Sequence, residues 1–255
     1  MYLQHHEHQT LWLTPPELSI IIPVLHEADN ILKTLDHLEQ IAEGAVYEVI
    51  VVDGDPLGST LAKLSPSDPL VCGILSQPGR GIQLNAGAVI ARSTRLLFLH
   101  ADVLLPQNAL VKLCRVLDHY AAGAFDLEIN ATCLSLRWIS RVASLRSRLT
   151  RVPYGDQAIF MNRDTFDALG GFADIPIMED VVFMRRLKKQ QIPISILRDR
   201  ALISARRWET EGILRCTLRN WLLLGLFTWG YSPHQLAKWY RPPQQPLGAS
   251  RPSEL

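Results

Sequence analysis

Leu18-Ser-Ile-Ile-Ile-Pro-Val24 decides how this chain is read. Its residues are mostly apolar and β-branched, the pattern of a strand buried on both faces. A helix follows, with Asp29 or Asn30 near its start and Ile31, Leu32, Leu35, Leu38 and Ile41 as its apolar stripe, and Gly44 ends it. Glu48-Val-Ile-Val-Val-Asp53 is a second buried strand and Leu70-Val-Cys-Gly-Ile-Leu75 a third. Residues 81–91 form a small-residue helix, Arg95-Leu-Leu-Phe-Leu-His100 a further buried strand, and Pro106 opens a helix carrying Leu110, Leu113, Val116 and Leu117. Apolar strands alternating with helices predict an α/β fold, a mostly parallel central sheet with helices on both faces. Ligands of such sheets sit beyond the carboxyl ends of the strands. Asp53 closes one strand there, and His100 and Asp102 close another.

The second half is less regular. Residues 134–149 read as a helix with Arg137, Arg141, Arg146 and Arg148, and Tyr154-Gly-Asp-Gln-Ala-Ile-Phe160 reads as a strand. Arg163 to Leu169 is a short helix ended by Gly170-Gly171. Met178 to Lys189 is a helix with Glu179 and Asp180 in its first turn, where the helix dipole favours anions. Trp221-Leu-Leu-Leu-Gly-Leu-Phe-Thr-Trp229 is far shorter than the about 20 apolar residues of a spanning helix. It reads as a packed helix, with an interfacial helix as the alternative. Residues 1–16, with His5, His6 and His8, read as a flexible tail, and the Pro- and Gln-rich 241–255 as a disordered one.

Composition narrows the function. The 255 residues carry 26 Lys and Arg against 25 Asp and Glu, a net charge of +1, which argues against a nucleic-acid binder. Cys72, Cys114, Cys133 and Cys216 form no C-x-x-C pair and fit buried thiols in a reducing cytosol. Residues 1–16 lack the basic start and apolar core of a signal peptide. There is no P-loop, no H-E-x-x-H and no G-x-S-x-G. Gly79-Arg80-Gly81 begins like a dinucleotide fingerprint, but Leu84 replaces the third glycine.

What remains is an ordered set of polar groups. Pro23-Val-Leu-His-Glu27 follows the first strand and Asp53-Gly54-Asp55 the second; Gly79-Arg80-Gly81 with Asn85-Ala86-Gly87, His100-Ala101-Asp102 and Glu179-Asp180 come after. In this order they resemble the GT-A fold of the family 2 glycosyltransferases, from Leu18 to about Tyr240. Tyr154-Gly-Asp-Gln-Ala-Ile-Phe160, Met178-Glu-Asp180 and Ser204-Ala-Arg-Arg-Trp-Glu209 further resemble a bacterial subgroup, the radical-SAM/selenodomain-associated transferases. The resemblance implies one domain over 17–240, with a nucleotide-binding half at 17–105 and an acceptor-side half at 106–240.

It also implies roles. Pro23, Glu27, Asp53 and Asp55 would line the nucleoside pocket, with Asp53 accepting from the base; the alternative for Asp53 is a strand-end cap. Arg80 would reach the base or diphosphate, or be a solvated loop arginine. Asn85 and Gly87 fit donor binding or close helix packing. His100-Ala101-Asp102 takes the place of the family's D-x-D motif, with Asp102 on a divalent metal and His100 either a second ligand or a supporting histidine. Asp180 would be the general base with Glu179 as its acceptor-binding partner, unless the pair only stabilises the helix terminus. Arg206 and Arg207 suit phosphate oxygens, with a surface pair as the alternative. Tyr154, Gly155, Asp156, Gln157 and Trp208 would shape the acceptor side. Pro56 and Gly58 depart from the family's loop after the second strand.

The expected activity is transfer of a sugar from a nucleoside-diphosphate sugar, a UDP-sugar first, to an acceptor hydroxyl, inverting and metal-assisted. Mn²⁺ is favoured over Mg²⁺ because imidazole suits later metals. The acceptor could be lipid-linked. The expected setting is cytoplasmic, with a peripheral inner-membrane contact through 221–229 as an option. Nucleotidyl transfer and a non-catalytic nucleotide-binding module are the competing readings.

Overall fold

The computed structural model describes residues 15–65 and 68–240. The two expected tails lie outside these residues, except for Pro15 and Pro16. The first half holds β1 (Leu18–Val24), α1 (Ala28–Ile41), β2 (Tyr47–Asp53), β3 (Val71–Leu75), α2 (Arg80–Ile90), β4 (Arg95–Phe98) and β5 (Val103–Leu104). Then come α3 (Ala109–Leu117), β6 (Ala122–Asn130), α4 (Leu134–Thr150), β7 (Ile159–Asn162), α5 (Arg163–Ala168), α6 (Glu179–Lys189) and β8 (Ile194–Ser204). The described chain closes with α7 (Arg206–Glu211), α8 (Ile213–Thr228) and α9 (Pro233–Tyr240).

Eight described strands form one sheet in the order β3-β2-β1-β4-β7-β6-β8-β5. β1 runs parallel to β2 and β4, and β2 parallel to β3. Beyond β4 the sheet is mixed: β7 is antiparallel to β4 and β6, β8 is parallel to β6, and β5 is antiparallel to β8.

Strand alternation explains why both faces are covered. Ile20, Ile22 and Val24 pack on one face with Ile31, Leu38 and Ile41 of α1; Ile21, Ile50 and Val52 pack on the other with Leu84 and Ala88 of α2. Each such fully buried aliphatic side chain contributes about 1.5–3 kcal/mol. Gly87 lets α2 lie against β1, since a Cβ there would stand 2.4 Å from Ile21 Cγ2.

Several sequence expectations are corrected. Leu32 is 42% exposed; the buried face of α1 instead runs through Thr34, whose hydroxyl donates to the Ala101 carbonyl at 2.6 Å. β3 is the sheet edge, with Cys72 and Gly73 exposed rather than buried. The helix expected from Pro106 begins at Ala109, after Asn108 at φ 60°. Residues 154–160 are not one strand. A 3-10 turn at Gly155–Gln157 and Ala158 at φ 49° precede β7. Long β6 and β8 had no counterpart in the sequence reading. On α8 only Cys216 and Leu223 are buried, although Leu224 and Phe227 lean on the core.

Candidate active site

The loop after β2 is organised by carboxylates. Asp53 has no exposed surface. Its Oδ1 accepts from the Asp55 N–H at 2.9 Å, and its Oδ2 from the Thr60 and Leu61 N–H groups at 3.0 and 3.3 Å. Asp55 repeats the device, accepting from the Leu57 and Ser59 N–H groups at 3.0 and 3.3 Å, with His26 Nδ1 3.5 Å away. The Ser59 hydroxyl and Leu57 N–H hold the Asp55 carboxyl below its usual range. The Glu27 N–H donates to the Thr60 hydroxyl at 3.1 Å, and its Oε2 accepts from Asn30 at 2.7 Å. Pro23 is half-buried in β1. Buried Gln83 donates to the Val24 and Val52 carbonyls, both at 2.7 Å, tying the ends of β1 and β2 together.

A second cluster forms where α2, β4 and α6 converge. Arg80 Nη1 lies 3.3 Å from Oε1 of Glu179, which is 1% exposed. Burial pushes the Glu179 carboxyl up; Arg80 opposes this and Asp180 adds to it. Asp180 Oδ2 accepts from the Gly155 N–H at 2.6 Å and Oδ1 from the Val181 N–H at 2.7 Å. A Cβ on Gly155 would stand 3.0 Å from His100 Nε2 and 3.3 Å from Asp180 Oδ2, so a larger residue would push both side chains back by a few tenths of an ångström. Burial holds His100 well below its ordinary pKa, with Arg80 and Arg207 adding, so the imidazole is neutral at pH 7. An aromatic stack fixes α6: Phe172 lies 4.7 Å from Phe183 and 4.9 Å from Phe98 between ring centroids. Met178, just before α6, sits at φ 68°, a conformation costing a non-glycine residue about 1–3 kcal/mol.

Around the Gly155 turn, the Arg146 guanidinium lies 3.3 Å over the Tyr154 ring centroid. Burial pushes the Tyr154 hydroxyl up to about 12. Burial and then the Asp180 charge push Asp156 up to about 6. Asp156 Oδ1 and Arg146 Nε are buried without a hydrogen-bond partner. Gln157 accepts from the Ser147 hydroxyl at 2.6 Å and donates to the Phe125 carbonyl at 2.8 Å, pinning the turn to α4 and β6.

Asp102 is exposed. It lines a cleft of about 370 Å³ with Asn30, Lys33, Arg206 and Glu209, whose walls include neither Glu179 nor Asp180. Arg207 donates to the Tyr240 hydroxyl and lies 4.9 Å over its ring. Trp208 packs against the core and donates to Thr217 at 3.3 Å. The Asn85 amide is held by both the N–H and the carbonyl of Phe172, at 2.9 Å each.

Arg80, His100, Gly155, Asp156, Glu179 and Asp180 are thus brought together, with Asp102 and Arg206 at the adjoining cleft. Asp53, Asp55, Asn85, Gln157 and Trp208 are engaged with the protein's own groups. Sequence reasoning missed Gln83, Arg146 as a site group, and Tyr240. Only Arg146 carried a signal, as one of four arginines in a helix otherwise read by its length.

Among the described residues, no three His, Cys, Asp or Glu side chains gather as a metal site. The Asp102 carboxylate, which makes no hydrogen bond or ion pair with a described residue, still fits a cation of the kind held by one or two carboxylates and substrate phosphates.

S. aureus TarS, residues 1–349, superposes with a TM-score of 0.57 at 17% identity, covering 74% of this chain and 60% of that one. The same protein in complex with UDP gives 0.57 at 18% identity, with the same coverage. The mannosyltransferase PcManGT from Pyrobaculum calidifontis, in complex with GDP-Man and Mn²⁺, gives 0.56 at 17% identity, covering 74% of this chain and 57% of that one. The chain therefore spans about three-fifths of the length of these structures. They show a GT-A-like α/β fold, a curled mixed sheet with helices. No curated protein matches in sequence. Residues 19–173, more than half of the sequence, match glycosyl transferase family 2, and the chain belongs to that family.

Proposed function

We propose that the chain transfers a glycosyl group from a nucleoside-diphosphate sugar to an acceptor hydroxyl with inversion at the anomeric carbon. The observation that carries this reading is Asp180, fixed by two backbone N–H groups beside a neutral His100 and the paired Arg80 and Glu179. Each carboxylate oxygen keeps a further lone pair for a substrate proton. The acceptor oxygen forms the new bond to the anomeric carbon and gives its proton to Asp180. The bond from that carbon to the diphosphate breaks, and its electron pair leaves with the nucleoside diphosphate. Glu179 holds Arg80 in the cluster and Arg206 lines the cleft with Asp102, and these two arginines are the groups assigned to the diphosphate. A divalent cation, held by Asp102 with His100 nearby, would neutralise charge on the departing diphosphate.

On the donor side we assign Pro23, Glu27, Asp53 and Asp55 to the nucleoside wall. Asp53 and Asp55 act through the loop they hold, because their oxygens already accept backbone N–H groups. Tyr154 and Asp156 line the acceptor side, with Asp156 Oδ1 free to accept a hydroxyl. UDP bound to TarS and GDP-Man bound to PcManGT support a nucleotide-sugar donor, a UDP-sugar first. The Tyr154–Gln157 and Ser204–Glu209 motifs support the radical-SAM-associated subgroup. Four free cysteines fit a cytoplasmic setting. No described helix is long and apolar enough to cross a membrane, while Trp221 and Trp229 are exposed for a peripheral contact. Product analysis with a panel of nucleotide sugars tests the reading. Free nucleoside diphosphate supports it; pyrophosphate would replace it with nucleotidyl transfer.

A further inference from the structure

α4 is built inside out. Three of its four buried positions are serines, Ser140, Ser144 and Ser147; the fourth is Leu136. The Ser144 and Ser140 hydroxyls accept from the Leu127 and Ile129 N–H groups of β6, both at 3.0 Å. The reason lies in the sheet. β7 pairs only with Ala122 and Gly123 of β6, so the rest of that edge offers backbone groups that a covering helix must satisfy. With serines at most of the inner positions, only Leu136, Ile139 and Ala143 reach the core, and the other large apolar residues stay outside. Leu134 is 70% exposed, Trp138 64%, Val142 42%, Leu145 56% and Leu149 75%. Their spacing of three and four residues sets them on one stripe along the whole helix.

The charge around this stripe is one-sided. α4 holds Arg137, Arg141, Arg146 and Arg148 and no acidic residue. A groove of about 230 Å³ beside it is lined by Arg137, Arg141, Arg148 and Arg200 with Asp126 and Glu128. Arg148 pairs with Asp126 and Arg200 with Glu128, which leaves Arg137 and Arg141 without a carboxylate partner among the described residues. Arg141 lies 5.8 Å over the exposed Trp138 ring.

We propose that α4 docks the protein on an anionic bilayer surface, with the stripe from Leu134 to Leu149 in the headgroup–acyl boundary and Arg137 and Arg141 on lipid phosphates. An apolar stripe containing Trp and flanked by cations matches a lipid interface on both of its chemistries. A protein partner would need acidic groups set opposite the arginines. The same helix carries Arg146 over Tyr154, so docking would turn the acceptor side toward the bilayer. The surface lies on a different helix from the Trp221–Trp229 run and does not depend on the transfer chemistry.

The test is co-sedimentation of the full chain with vesicles of phosphatidylglycerol and phosphatidylcholine, and with phosphatidylcholine alone. The wild type should bind the anionic vesicles and be released by salt. Arg137→Glu with Arg141→Glu should weaken binding about tenfold or more. Trp138→Glu with Leu145→Glu should do the same, with circular dichroism and melting unchanged, while Trp221→Ala with Trp229→Ala should keep most of it. Three results would overturn the proposal: no binding to anionic vesicles, undiminished binding by the α4 variants, or light scattering that shows a dimer which Leu145→Glu dissociates. The last would assign the stripe to a second copy of the chain.

Discussion

The two halves of the molecule use their carboxylates in opposite ways. In the first half Asp53 and Asp55 end a regular strand and accept N–H groups from their own loop; the Asp55 carboxyl is held below its usual range. In the second half Glu179 and Asp156 are pushed up by burial, and Asp156 keeps an oxygen without a partner. Satisfied carboxylates build a wall. Carboxylates crowded together and desolvated are groups whose environment improves when a substrate arrives. In the proposed function the first set is donor-side scaffold and the second surrounds the base Asp180, which accepts two backbone N–H groups yet stands among these crowded carboxylates.

The largest effect should come from Asp180. Asp180→Asn can keep the contact with the Gly155 N–H through its amide oxygen, loses the one with the Val181 N–H and removes the proton acceptor, so turnover should fall by roughly 10²–10⁴ while stability falls by only about 1 kcal/mol. Near-normal turnover would move the base to another group and break the contrast. Asp53→Ala should act on stability instead. It leaves the Asp55, Thr60 and Leu61 N–H groups without their acceptor, a loss on the order of 3 kcal/mol in denaturant unfolding.

Asp156 gives a pH signature. Its folded-state pKa of about 6 lies above the reference value of 3.8, so the folded protein binds this proton more tightly than the unfolded chain. Its contribution to stability is full below the unfolded value and is lost as pH rises through about 6. Asp156→Asn should melt like wild type near pH 4 and be more stable above pH 6, by about 1–3 kcal/mol. The acceptor KM should rise in the same variant, a readout that a merely structural Asp156 would leave unmoved. The smallest effect concerns the metal. Mn²⁺ should support turnover a few-fold better than Mg²⁺, and His100→Ala should erase that preference, as read from saturating metal titrations.

The same contrast governs what the sequence revealed. β1, β2 and β4 were legible because both their faces are apolar. β6 and β8 were not, because Glu128 and Arg200 pair across the sheet and Asp126 pairs with Arg148 of α4, and these charges break the apolar run that marks a buried strand. Tyr154 to Phe160 looked extended because its composition is; the turn at Gly155 depends on contacts from Gln157 to Ser147 and Phe125, which lie far from the turn itself. Asp180, Glu179 and Asp102 stand out in the sequence as motif positions, and the fold sets the first two in one cluster and Asp102 on a cleft. That Asp53 holds a loop, that Asn85 clamps Phe172 and that Tyr240 reaches Arg207 are facts of tertiary distance which no local pattern encodes.

The most direct measurement is a calorimetric titration of UDP with Mn²⁺ into wild type, Asp102→Asn and Asp180→Asn, alongside turnover of each. The division of labour predicts that Asp180→Asn binds UDP like wild type and barely turns over, whereas Asp102→Asn loses binding and turnover together. Equal loss of UDP binding in both variants would contradict it, because Asp180 would then belong to the donor site and not to the proton transfer.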